Sequence, residues 1–158
     1  MRNAADSTEV TREITIAAAP EIVWTYLVEE AKAARWMGQA AELDARPGGL
    51  FRVHVLPGHT ARGEFVELDP PRRLVYTWGW EAEGDTPNAV PPGSTTIEIE
   101  LEPAGAATRV RFSHRDLPSA AAVRSHAEGW DHYLPRLLTA AQGTDPGRDP
   151  WLGAGAGA

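Results

Sequence analysis

The chain carries five histidines, six tryptophans and no cysteine. Without thiols there is no disulfide, thiolate nucleophile or cysteine-ligated metal. Imidazole is then the side chain suited to proton transfer near neutral pH, or to hydrogen-bonding a ligand. Two histidines fall on apolar faces. In "TRVRFSHR" Val110 and Phe112 alternate with Arg109 and Arg111, so His114 points inward with Phe112. In "SHAEGWDHYLPRLLTAA" His126 joins Val123, Ala127, Trp130, Leu134, Leu137, Leu138 and Ala141, whose three- and four-residue spacing makes one stripe on a helix. Two readings stand for each: a general base or ligand partner, or an imidazole satisfied by its own neighbours. His54 falls outward by alternation, His59 sits in the turn "PGHT", and His132 lies off the stripe, so these three are expected at the surface. His126 and His132 are six positions apart and diverge on a helix, and no metal site is expected.

Carboxylates that could pair with His114 lie in "GEFVELD". If Phe65 faces in, Glu67 goes with it. If Val66 and Leu68 face in, Glu64 goes with them. Burial would raise the pKa of either glutamate, whereas a bulge or strand end would return it to solvent. Lys32 is the one lysine, and any Schiff base would rest on it. No phosphate-binding glycine loop, nucleophile motif or cofactor fingerprint is present. In "LVYTWGWE" the residues Leu74, Tyr76, Trp78 and Trp80 share a face too apolar to leave in water. With Phe51, Phe112 and Trp130 they would either line a cavity suited to an aromatic ligand or simply fill the core.

The elements that position these residues follow from pattern. "TREITIAA" alternates as a strand. Pro20 opens the short helix "PEIVWTYLVEE", where proline does least harm, and "AKAARWM" continues as a second, broken near Gly38. Six further strands follow to about residue 115, turning at Pro47-Gly48-Gly49, at Asp69-Pro70-Pro71 and at "PAGAA". The last two set Glu98, Glu100 and Glu102 beside Arg109 and Arg111 on the wet face. A long helix then runs from Pro118-Ser119 to Gly143, despite Gly129 and Pro135 inside it. Burying its large side chains, at about 1.5–3 kcal/mol each, offsets the helix penalties of those two residues. Glu83–Thr95, rich in proline and glycine, is either a lid or a loose hairpin end.

Composition bounds the rest. The length, 158 residues, favours one domain. Residues 1–10 read as a flexible start, 11–143 as the domain, and 144–158, "TDPGRDPWLGAGAGA", as a disordered tail whose Trp151 either docks back or idles. Net charge is −7, and no basic block invites nucleic acid. No apolar run approaches the ~20 residues of a membrane span, and no secretion signal opens the chain, so a cytoplasmic protein is expected.

Several stretches together resemble a known family. They are "APEIVW" at the first helix, "RPGGLFR" at a strand turn, "GEFVELDPPRRLVYTW" across the central hairpin, "GSTTIEIELEP" leading to "TRVRFSHRDL", and "EGWDHYLPRL" in the last helix. In this order they resemble the START-like SRPBCC superfamily, in the branch named after the activator of the heat-shock protein 90 ATPase. The resemblance implies an α+β helix-grip fold: a seven-stranded antiparallel sheet wrapped around the C-terminal helix, with an apolar cavity between them. Members of the family bind hydrophobic small molecules, act as cyclases and related enzymes, or assist a chaperone. Joined to the residue reading above, this makes the first expectation the binding of a hydrophobic, aromatic small molecule by a monomer or homodimer without a cofactor, at Phe51, Tyr76, Trp78, Trp80, Phe112, His114, His126 and Trp130. A cyclase- or hydrolase-like enzyme using a cavity histidine is the alternative, and a chaperone-assisting interaction protein is the third.

Overall fold

The structure, a computed structural model, describes residues 8–82 and 89–152. A strand β1 (Val10–Ile16) leads to two short helices, α1 (Pro20–Val28) and α2 (Glu30–Trp36). Six strands follow: β2 (Ala40–Leu43), β3 (Leu50–Leu56), β4 (His59–Asp69), β5 (Arg73–Trp78), β6 (Thr95–Ala104) and β7 (Ala107–Arg115). The helix α3 (Ala120–Ala141) comes last. Every strand pairing is antiparallel. The sheet order is β1-β7-β6-β5-β4-β3-β2, so the first strand closes beside the last and β1 and β2 form the two edges. This is the α+β, helix-grip arrangement.

The β6–β7 hairpin shows how pattern makes structure. Ile97, Ile99, Leu101, Val110 and Phe112 are all buried on one face. On the other, Glu100 stands opposite Arg111 and Glu102 opposite Arg109. Arg109 reaches Glu102 at 3.0 Å, and Glu98 takes both Arg73 at 2.6 Å and Arg115 at 3.0 Å. Each such cross-strand pair contributes only about 0.2–1 kcal/mol; their larger effect is to exclude the slipped register that would bury charge.

The register of β4 resolves against a buried carboxylate. Phe65 faces the core and pairs with Tyr76, but the next pair is Glu67 with Val75, so Val66 is an extra residue in a bulge. The bulge reverses the alternation. Glu67 turns out to Arg73 at 3.0 Å, and Glu64 is exposed as well.

Ser119 caps α3, its hydroxyl accepting from the Ala122 amide at 3.1 Å. The helix then runs 22 residues through Gly129 and Pro135. Its buried face is His126, Trp130, Tyr133, Leu134, Leu137, Ala140 and Ala141. Tyr133 and Ala140 widen the stripe beyond what the spacing alone marks. On the solvent side Asp131 binds Arg12 of β1 at 2.7 Å, tying the first element to the last.

Both chain ends depart from the sequence expectation. The sheet begins at Val10, and the Thr8 carbonyl accepts from the Leu117 amide at 3.0 Å. The expected flexibility of residues 1–7 lies outside the described residues. Residues 144–152, expected to be a disordered tail, pack back against α3. Asp149 is buried at 3 % exposure against His132, and Arg136 holds the Gly147 carbonyl, polar partners that composition does not reveal. Residues 153–158 lie outside the described residues, as do 83–88 of the proposed lid. The returning limb of that loop is packed, with Val90 buried and its carbonyl accepting from the Trp80 amide at 2.7 Å.

Candidate functional site: an aromatic cavity at one end of the grip

A cavity of about 340 Å³ opens between the sheet and the first half of α3. That volume falls at the lower end of small-molecule sites. Three tryptophans from different elements define it. Trp78 is the last residue of β5, and Trp130 stands at the centre of the helix stripe. Trp80 lies just past β5 and is held by a bridge to Ala61 and by the Val90 carbonyl. Gly79 makes that placement possible, since a Cβ there would stand 1.8 Å from the Pro91 carbonyl oxygen. The indoles of Trp78 and Trp80 meet edge to face at 5.3 Å, and those of Trp78 and Trp130 are 5.2 Å apart. Met37, Val55, Tyr133 and Gly129 extend the wall, and Trp151, from the segment after α3, also lines it.

Of the eight residues singled out in the sequence, Trp78, Trp80, His126 and Trp130 line this cavity. Phe51, Tyr76, Phe112 and His114 do not; they form the packed layer beneath it. Phe51 stacks on Tyr76 at 4.2 Å, Phe112 lies 4.5 Å from Trp130, and His114 is wholly buried. Strand alternation gives the direction of a side chain but not its depth, and depth here is set by which indoles cover it. Met37, Val55 and Tyr133 went unmarked in the sequence, and Trp151 was left open between docking back and idling. Of the three unmarked, Tyr133 carried a signal, as the i+3 neighbour of Trp130 on the helix.

Both inward histidines are satisfied and neutral. His114 Nδ1 accepts from the Trp130 indole at 3.0 Å. Its Nε2–H therefore donates to Thr95 Oγ1 at 2.8 Å, whose own proton goes to the Trp78 carbonyl at 2.7 Å. His126 has the opposite tautomer: Nδ1–H donates to the Ala122 carbonyl at 2.7 Å, and Nε2 accepts from the Trp80 indole at 3.0 Å. The two imidazoles face each other at 5.0 Å, edge to face. Burial, reinforced by repulsion from His126, pushes the His114 pKa down to about 3. Burial also lowers that of His126, opposed by its bond to Ala122. A general base needs a free lone pair, and here both are taken by indole N–H groups. Neither Glu64 nor Glu67, the carboxylates considered as partners, stands beside either ring, since both face solvent.

The Trp78 indole N–H is buried without a hydrogen-bond partner, and the buried Tyr133 hydroxyl has the Asp149 carboxylate beside it. Burial and the nearby Asp149 carboxylate drive the Tyr133 hydroxyl pKa up. His59 stands exposed at the rim, edge-on to Trp80 at 6.3 Å. His54 and His132, expected at the surface, are both half-buried: His54 beside Arg52 and Thr60 on the outer sheet face, His132 against Asp149. Among the described residues no three histidine, aspartate or glutamate side chains gather as a metal site would require. No helix among them is long and apolar enough to cross a membrane.

Comparison with known proteins agrees with this architecture. An AHSA1-like protein of Rhizobium etli, solved in solution, is 43 % identical over 96 % of this chain and 92 % of its own, with a TM-score of 0.71. CalU16 from Micromonospora echinospora is 23 % identical over 85 % of this chain and 76 % of its own, with a TM-score of 0.67. The Aha1 dimer from Colwellia psychrerythraea is 21 % identical over 85 % and 96 %, with a TM-score of 0.70. The last two share the fold alone. No curated protein matches. The model of the family "Activator of Hsp90 ATPase homolog 1-like protein" matches residues 17–142, from the start of α1 to the end of α3. Six of the seven strands, the helix α3 and the cavity's main walls lie within that span, and the chain belongs to this family.

Proposed function

We propose that this protein binds a compact, aromatic small molecule in the cavity between the sheet and α3. The observation that carries the reading is the cavity itself: about 340 Å³ of space walled by four of the chain's six indoles. Beneath it the aromatic core is close-packed, so the opening is not a loosely filled interior. Apolar walls with a few placed polar groups are the usual composition of a ligand site. Binding is favoured over catalysis because both buried imidazoles are neutral and have their lone pairs engaged.

The test is a fluorescence titration with 2-naphthol, a hydroxylated polycyclic phenol and decanoic acid. Ligands stacking among Trp78, Trp80 and Trp130 should quench indole emission saturably, the aromatic phenols more tightly than the fatty acid. Native mass spectrometry of freshly purified protein would show a retained ligand directly. Non-saturable quenching by every probe, with no retained mass, would overturn the reading.

A further inference from the structure

Trp151 lines the cavity although it lies nine positions beyond the stretch shared with the family. Its ring stacks flat on His132, with centroids 3.8 Å apart and planes 5° from parallel, and meets Tyr133 edge-on at 5.6 Å. Asp149 holds this arrangement. One carboxylate oxygen, Oδ1, accepts from His132 Nε2 at 2.7 Å and from the Trp151 amide at 2.9 Å. Arg136 adds a second tether, donating to the Gly147 carbonyl at 2.8 Å and to the Trp36 carbonyl at 3.2 Å. Gly143 and Gly147, both at positive φ, turn the chain at the start and the middle of the segment.

We infer that residues 144–152 form a latched strap that controls access to the cavity, with Trp151 its closing wall and Asp149–His132 its latch. The inference rests on the binding reading above. Two features make the strap releasable. It is held chiefly by a few polar contacts, and Trp151 itself keeps 39 % of its surface in water. Its closed state also buries the Asp149 carboxylate beside the Tyr133 hydroxyl, and opening would return both to water. Segments with few buried apolar contacts and costly buried polar groups open before the rest of a fold. Closed, Trp151 narrows the mouth with a rigid plane backed by His132. That geometry selects a flat aromatic ring over a flexible chain of similar volume.

Three variants of the full chain test this. Asp149→Ala removes the latch, His132→Phe keeps a ring beneath Trp151 but removes the donor, and Trp151→Ala removes the wall. Strap opening is read without ligand, by amide exchange of residues 147–152 and by trypsin cleavage after Arg148. Passage is read by stopped-flow quenching with 2-naphthol. Asp149→Ala and His132→Phe should each speed exchange and cleavage in the strap tenfold or more, leave α3 amides protected, and raise the 2-naphthol association rate severalfold. Trp151→Ala should weaken 2-naphthol about tenfold and decanoate by less than twofold. Unchanged strap exchange in both latch variants would overturn the latch. A released strap with unchanged association rate and affinity would overturn the gate while leaving the cavity a binding site. Absence of saturable 2-naphthol quenching in wild type and variants alike would overturn the binding reading and the gate with it.

Discussion

His114 and His126 each accept an indole N–H on one ring nitrogen and donate the proton of the other, to Thr95 and to Ala122. Protonating either ring would set two donors against each other in a buried site, so both are held neutral. The consequence for stability has a definite sign. In the unfolded chain a histidine titrates near 6.5; in the native protein His114 does so only at about 3, and His126 is also lowered. Above about pH 6.5 both states are neutral and stability is full. As pH falls below that, the unfolded chain binds protons that the native protein refuses, and stability declines toward pH 3. At pH 5 the loss is about 2 kcal/mol for each histidine that stays neutral. The carboxylates lowered by arginine partners, Glu81, Glu98 and Asp131, lose stability in the same direction but only in the more acid carboxylate range. Urea unfolding at pH 7.5 and pH 5 therefore reads the imidazoles, and a drop of about 2 kcal/mol from His114 is expected, with His126 adding in the same direction. A His114→Gln variant, less stable at both pH values, should lose the His114 share of that difference. Equal stability at the two pH values would show the rings protonating in place and refute the indole–imidazole pairing.

At the scale of elements, α3 carries both packing and cavity. Gly129 sits mid-helix in the cavity wall, with open space where a Cβ would stand. Gly129→Ala should therefore stabilise the protein by roughly 0.5–1 kcal/mol, raising the urea midpoint, while its methyl narrows the cavity and weakens 2-naphthol binding. Higher stability with undiminished binding would place the ligand away from α3. The same helix shows what the sequence made legible. Its stripe and cap were readable because burial on one face imposes a 3.6-residue period, and the β6–β7 hairpin because one wet face imposes a period of two. The place of the bulge, at Val66, was not readable beyond a bulge being one of the alternatives, since both registers of β4 present a plausible apolar set and the choice is made by pairing with β5. Nor was the strap. A short stretch between glycines has no period, and Asp149 and Trp151 gain their places from His132, and Gly147 its place from Arg136, partners on a different element. Half of the proposed site residues proved to lie under the cavity for a related reason: alternation sorts two faces, but nothing local says how many layers cover the inner one.

Over the whole molecule, charge is arranged more than accumulated. The outer sheet face alternates arginine and glutamate across β7, β6 and β5, and the net charge is −7. With each arginine already beside a carboxylate, there is no row of free cations to displace counterions from a phosphate backbone. No binding of duplex DNA is expected at physiological salt in a gel-shift or anisotropy assay; micromolar binding with a steep salt dependence would contradict the charge reading. The sheet order has a different consequence, in time. Ile16 pairs with Thr108 and Val10 with His114, so the first strand made is completed by the last. At synthesis rates of about 5–20 residues per second, β1 waits roughly 5–20 s for its partner. Throughout that interval Ile14 and Ile16 are exposed on an unpaired edge, and Arg12 has no Asp131 to meet. The nascent chain is thus most open to wrong pairing at its N-terminal end, and a second copy emerging nearby would offer a β7 of its own for that edge to take.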